Sequence, residues 1–174
     1  MNMNEKIDYR HKLSKLVREL SEDDAKSYFD HFSKFVPLAT ERRDIWTGLM
    51  GLKWLQKEKG RSRCEVEITQ ALLNPYGSLS GGVLFTMADY GMGAALSSLL
   101  AADERSATIE IKLNFLAAVN SGKVIADTAI VYPGERIVYM ESKITSNDGR
   151  LIAVATGSFY RFRIDSKKSR KLST

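Results

Sequence analysis

Across residues 79–102 the chain carries one charged side chain, Asp89, in a run that is otherwise apolar or small. Burying an unpaired carboxylate is costly, so a folded chain keeps one in such a place for a partner or a purpose. Asp89 lies about two turns inside the predicted helix, too deep to cap its start. That position marks it as a functional carboxylate, with a buried ion pair or an exposed polar stripe as the structural alternatives. At the start of the same helix stands Ser80-Gly81-Gly82. Two glycines leave backbone N–H groups unobstructed at a positive helix end, which suits an anion or a developing oxyanion. The same glycines would also permit close packing of helix on strand.

The elements that must position these residues read as follows. Ser80 is a good N-cap, and the helix predicted over 80–102 is apolar or small nearly all round, so something must surround it. Before it, Ser62, Cys64, Val66 and Ile68 alternate with Arg63, Glu65 and Glu67, a strand with one buried face. An earlier strand is predicted over 45–55, with Lys59-Gly60 as the turn between the two, and Asn74-Pro75-Tyr76-Gly77 breaks the sheet. After the helix come strands over 107–115, 123–132, 137–146 and 151–162. Asn120-Ser121-Gly122, Pro133-Gly134 and Asn147-Asp148-Gly149 supply hairpin signals between them. Hairpins imply an antiparallel sheet, and a helix apolar on all sides implies a sheet curled around it: an α+β hotdog fold. Residues 1–43 read as a helical extension, 44–163 as the hotdog domain and 164–174 as a basic tail. In the extension Leu13, Leu16, Val17 and Leu20 recur at helical spacing, and Ser21 with Asp24 forms a capping box. That box opens a second helix through Phe35, which Pro37 ends. Both histidines, His11 and His31, lie there.

The chain has 174 residues, 44% hydrophobic and 27% charged, which suits one domain with a core and excludes intrinsic disorder. Its single cysteine, Cys64, excludes an intramolecular disulfide and a Cys-rich zinc site; no metal or cofactor is expected, and the location reads as cytoplasmic. The net charge is +5, yet Arg161, Arg163, Lys167, Lys168, Arg170 and Lys171 face only Asp165 in residues 161–174, leaving the rest formally neutral. A basic surface seeking nucleic acid or a membrane is therefore not expected of the body. The N-terminal residues lack an apolar core for a signal peptide. The 79–102 run is long enough to raise a membrane span, but Asp89, Thr86 and its Gly and Ser residues make it a core helix.

The segment Asn74-Pro75-Tyr76-Gly77-Ser78-Leu79-Ser80-Gly81-Gly82-Val83-Leu84-Phe85-Thr86-Met87-Ala88-Asp89 resembles the active-site segment of hotdog-fold acyl-CoA thioesterases of the phenylacetic-acid-degradation type. That family shows Asn, then Gly, then His-Gly-Gly, then Asp on the central helix, and the element order matches over residues 45–162. The resemblance implies hydrolysis of a thioester to free acid and coenzyme A, with CoA as part of the substrate. It implies Asp89 as general base or nucleophile and the Gly81 N–H as oxyanion donor. Asn74 would orient substrate or water, Thr108 would hold the attacking water, and Ser80 and Gly82 would border the substrate. Asn74 also reads as a plain turn residue before Pro75, and Thr108 as an ordinary strand residue. Ser80 stands where the family has histidine; it can cap the helix but cannot act as an imidazole base.

Gly81 and Asp89 are eight residues apart, about 12 Å along one helix. A reacting carbonyl needs both groups within roughly 3 Å. The expectation is a homodimer or homotetramer in which Asp89 faces Gly81 of the partner subunit. The rival reading is a non-catalytic acyl-CoA-binding or sensing hotdog protein; a third makes the basic tail the functional part, docking to nucleic acid or membrane.

Overall fold

The computed structural model describes residues 8–40 and 45–164. Its contacts divide the chain into two units, Met1–Leu49 and Met50–Thr174. Residues 165–174, which hold Asp165 and all four bases of the tail, lie outside the described residues.

The first unit contains α1 (Tyr9–Arg18), α2 (Glu22–Thr40) and α3 (Ile45–Leu49). The Asp8 carboxylate caps α1 by accepting the N–H groups of Arg10 and His11. Ser21 Oγ accepts the Asp24 N–H at 3.1 Å, the bond the sequence predicts. Two expectations fail here. The helix α2 runs through Pro37 to Thr40; a proline forfeits one hydrogen bond, but its fixed φ is already helical. The strand predicted over 45–55 is two elements, the helix α3 and a strand that begins at Lys53. Gly51, at φ +65°, supplies the left-handed residue that ends the helical stretch and lets the apolar run change its period.

The second unit holds β1 (Lys53–Glu58), β2 (Arg61–Glu67), α4 (Gly81–Ser97), β3 (Glu104–Phe115), β4 (Lys123–Pro133), β5 (Ile137–Ser146) and β6 (Leu151–Arg163). The strands form one antiparallel sheet in the order β1-β2-β4-β5-β6-β3. Helix α4 touches all six strands, as in a sheet wrapped on one helix: this is the hotdog fold. The alternation that predicts β2 appears as burial of Ser62, Cys64 and Val66 against exposure of Arg61, Arg63 and Glu67. From the helix, Met87, Met92 and Leu96 fill the core against Val66, Val124, Met140, Ile144 and Ile152. Burial pushes the Cys64 thiol up to about 12. Among the described residues no helix is long and apolar enough to cross a membrane.

Helix α4 ends at Ser97, short of the predicted 102. Ser98 Oγ donates to the Ala95 carbonyl and accepts the Gly60 N–H at 2.8 Å, tying the helix end to the β1–β2 turn. Beyond it Glu104, 7% exposed, takes both Arg161 donors at 2.6 and 3.1 Å and the Ala101 N–H at 2.9 Å. Arg161 therefore holds the Glu104 carboxyl below the usual range.

Candidate active site

The helix that the sequence presents as apolar all round has one open face in the single chain. Val83, Leu84, Met87, Ala88, Gly91, Met92, Ala95 and Leu96 are buried, whereas Gly82, Phe85 and Ser97 are exposed and Asp89, Tyr90 and Gly93 half-buried. The expectation of a helix surrounded on all sides is therefore corrected for the single chain, and the half-buried Asp89 carboxylate stands on the open face. Opposite it, Gly91 brings the helix backbone against the sheet. Its carbonyl accepts Ser62 Oγ at 2.7 Å, and a Cβ built there would stand 2.6 Å from Thr128 Oγ1.

Asp89 has a partner in Thr108, the residue to which the resemblance gives the attacking water. Thr108 Oγ1 donates to Asp89 Oδ1 at 2.9 Å across nineteen residues of chain. A β-bulge places it there. In β3 the pairing with β6 slips between Thr108, opposite Phe159, and Glu110, opposite Ser158. The inserted Ile109 puts Thr108 on the helix-facing side with Ile111 rather than with Glu110.

The other edge strand repeats the device. In β1 the register slips between Trp54, opposite Cys64, and Gln56, opposite Arg63. Trp54 and Lys57, three residues apart, thus both oppose buried residues of β2, Cys64 and Ser62, and face the helix. Regular alternation would send them to opposite sides, which is why the sequence pattern hides them. Lys57 Nζ lies 3.9 Å from the Trp54 ring centroid. Partial desolvation holds the Lys57 ammonium below the ordinary lysine range. Trp54, Lys57, Asp89, Tyr90, Thr108 and the buried Phe159 share an open cavity of about 380 Å³.

Gly81 belongs elsewhere. It lines a second cavity, of about 500 Å³, with Asn74, Tyr76, Leu84, Phe115 and Val119. A Cβ on Gly81 would stand 2.9 Å from the tip of the exposed Phe115 ring, so a larger residue must push that ring aside. Gly81 and Gly82 are the first two residues of α4, where amides have no carbonyl a turn behind them in the helix. Ser80 occupies the N-cap position, but its side chain makes no capping hydrogen bond, contrary to expectation; the Ser80 carbonyl accepts the Val83 N–H instead. Asn74 is spent on the turn: its Oδ1 accepts the N–H groups of Tyr76 at 2.9 Å and Ser78 at 3.2 Å. The structure thus unites Asp89 with Thr108, groups Asn74 with Gly81, and separates the two pairs. Among the described residues no group of three His, Cys, Asp or Glu side chains is placed to hold a metal ion.

Known proteins share this architecture. The family model of the thioesterase superfamily matches residues 76–153. The chain is 29% identical to the 1,4-dihydroxy-2-naphthoyl-CoA hydrolase of Listeria monocytogenes over 70% of this chain and 95% of that protein. It is 30% identical to a Saccharolobus solfataricus protein provisionally named an esterase, over 66% of this chain and 81% of that one. A hypothetical thioesterase protein with coenzyme A, from Streptococcus pneumoniae TIGR4, shares the fold at a TM-score of 0.60 and 24% identity, over 66% of this chain and 88% of that one. With sheet order, central helix and relatives in agreement, this chain belongs to the thioesterase superfamily.

Proposed function

We propose that this protein is a thioester hydrolase acting on acyl-CoA, releasing a free acid and coenzyme A. The observation that carries the reading is the Asp89–Thr108 hydrogen bond at a cavity lined by aromatic and polar side chains. Thr108 gives its one hydroxyl hydrogen to Asp89 Oδ1, which leaves Oδ2 and the Thr108 lone pairs to hold water. Asp89 takes a proton from that water as it attacks the thioester carbon; in the alternative course the carboxylate attacks and the resulting anhydride is hydrolysed. The Gly81 N–H stabilises the tetrahedral oxyanion, and collapse expels the CoA thiolate, which recovers the proton. Ser80 supplies no imidazole, so the chemistry rests on the carboxylate.

Gly81 and Asp89 line different cavities of one chain, so the reading places each reaction centre between two copies, with Asp89 facing Gly81 of the partner subunit. A cytoplasmic homodimer or homotetramer is the proposed form. The coenzyme A of the pneumococcal structure and the naphthoyl-CoA named for the Listeria enzyme support a CoA thioester as substrate. The spacing from Asn74 through Gly81-Gly82 to Asp89 supports the phenylacetic-acid-degradation type.

The test is a panel of acyl-CoA esters with release of CoA thiol as the readout. Asp89→Asn and Asp89→Ala are expected to lower kcat by about 10²–10⁴-fold with the fold intact. Near wild-type turnover by both variants overturns the assignment, and tight acyl-CoA binding without turnover by the wild type favours the sensor reading.

A further inference from the structure

Lys57 is a cation set into the cavity that holds Asp89, and among the described residues no carboxylate stands within 4.0 Å of its ammonium. Its direction comes from the β1 bulge, and its head lies 3.9 Å from the Trp54 ring centroid. Its side chain is exposed in the single chain, and the partial desolvation that works against its charge is one a bound anion would offset. The same cavity carries a carboxylate of its own, Asp89, which would repel an acidic substrate unless a cation stood by.

We infer that Lys57, seated on Trp54, determines specificity by reading a carboxylate on the acyl group of the substrate. The inference deepens the hydrolase reading and rests on it for the identity of the scissile bond. The cavity, at about 380 Å³ in the single chain, is within the range of ligand sites. Lys57 and Asp89 line one cavity, so a group bound at Lys57 lies within one cavity's breadth of the reacting carbon. The phosphates of coenzyme A do not, because the pantetheine arm separates them from the thioester.

Calorimetric binding of CoA thioethers tests this. Thioethers are not cleaved, so the result stands apart from turnover, and a parallel assay of the matching thioesters judges the hydrolase reading by itself. The ligands are S-butyl-CoA, S-(3-carboxypropyl)-CoA and the same two groups on pantetheine. The wild type is expected to bind each carboxylate form about tenfold tighter than its alkyl counterpart, on CoA and on pantetheine alike. Lys57→Met, which keeps an apolar stem over Trp54, is expected to abolish that preference, and Lys57→Arg to keep it. No preference in the wild type overturns the inference. So does a Lys57→Met that weakens both CoA ligands equally and leaves both pantetheine ligands unchanged, which would assign Lys57 to a phosphate.

Discussion

Thr108 has one hydroxyl hydrogen, and Asp89 receives it. Under the proposed reaction that bond fixes the carboxylate's aim without holding the thioester. Thr108→Val should therefore lower kcat by about 10–100-fold, the worth of a hydrogen bond to a charged group, while KM changes little. Thr108→Ser should restore most of the rate, and steady-state kinetics on one acyl-CoA reads both. At this scale the sequence exposes Asp89 by contrast, one charge in an apolar run. Thr108 becomes visible only through the resemblance, because a threonine in a strand carries no signal. Asn74 shows the converse: a polar side chain at a suggestive spacing, engaged by the amides of Tyr76 and Ser78. Ser80 shows the same from the helix side, since a residue suited to capping stands at the N-cap without its hydroxyl making the cap.

The two edge strands aim their residues by the same means, one extra residue each. Alternation in the sequence shows β2, β4, β5 and β6 nearly to their ends, because each has one face on the core. It cannot show a bulge, which shifts the period by one residue, and so Trp54 and Lys57 escape notice. The apolar run around Gly51 misleads for a related reason, as helix and strand meet there without a polar break. Helix α4 is set by Gly91, and its neighbour two residues on supplies a control. Gly91→Ala drives a methyl group into Thr128 Oγ1, which is itself held at 2.8 Å from Ser142 Oγ. Overpacking should outweigh the gain in helix propensity and lower stability by about 1–2 kcal/mol in chemical denaturation. Gly93→Ala meets nothing within 4 Å and should not destabilise.

For the whole molecule the decisive question is whether one chain makes a complete centre. If Asp89 works with Gly81 of the partner subunit, mixing two inactive variants must restore activity. Asp89→Asn removes the base, and Gly81→Pro removes the amide hydrogen at a helix position that tolerates proline. Each alone should be nearly inactive, and random reassociation should restore roughly a quarter of wild-type turnover, because half the dimers carry one intact centre. No recovery, with heterodimers shown to form, would place both groups in one chain's centre.

The strand order also dictates a schedule. β3 lies next to β6 alone, so the segment bearing Thr108 waits at the sheet's margin until the last strand has left the ribosome. The central helix is made before it, and two strands, β4 and β5, are synthesised in the meantime. Asp89 is thus made well before the strand that anchors its hydroxyl partner, and under the proposed reaction a new chain would complete the pair only once β6 has docked.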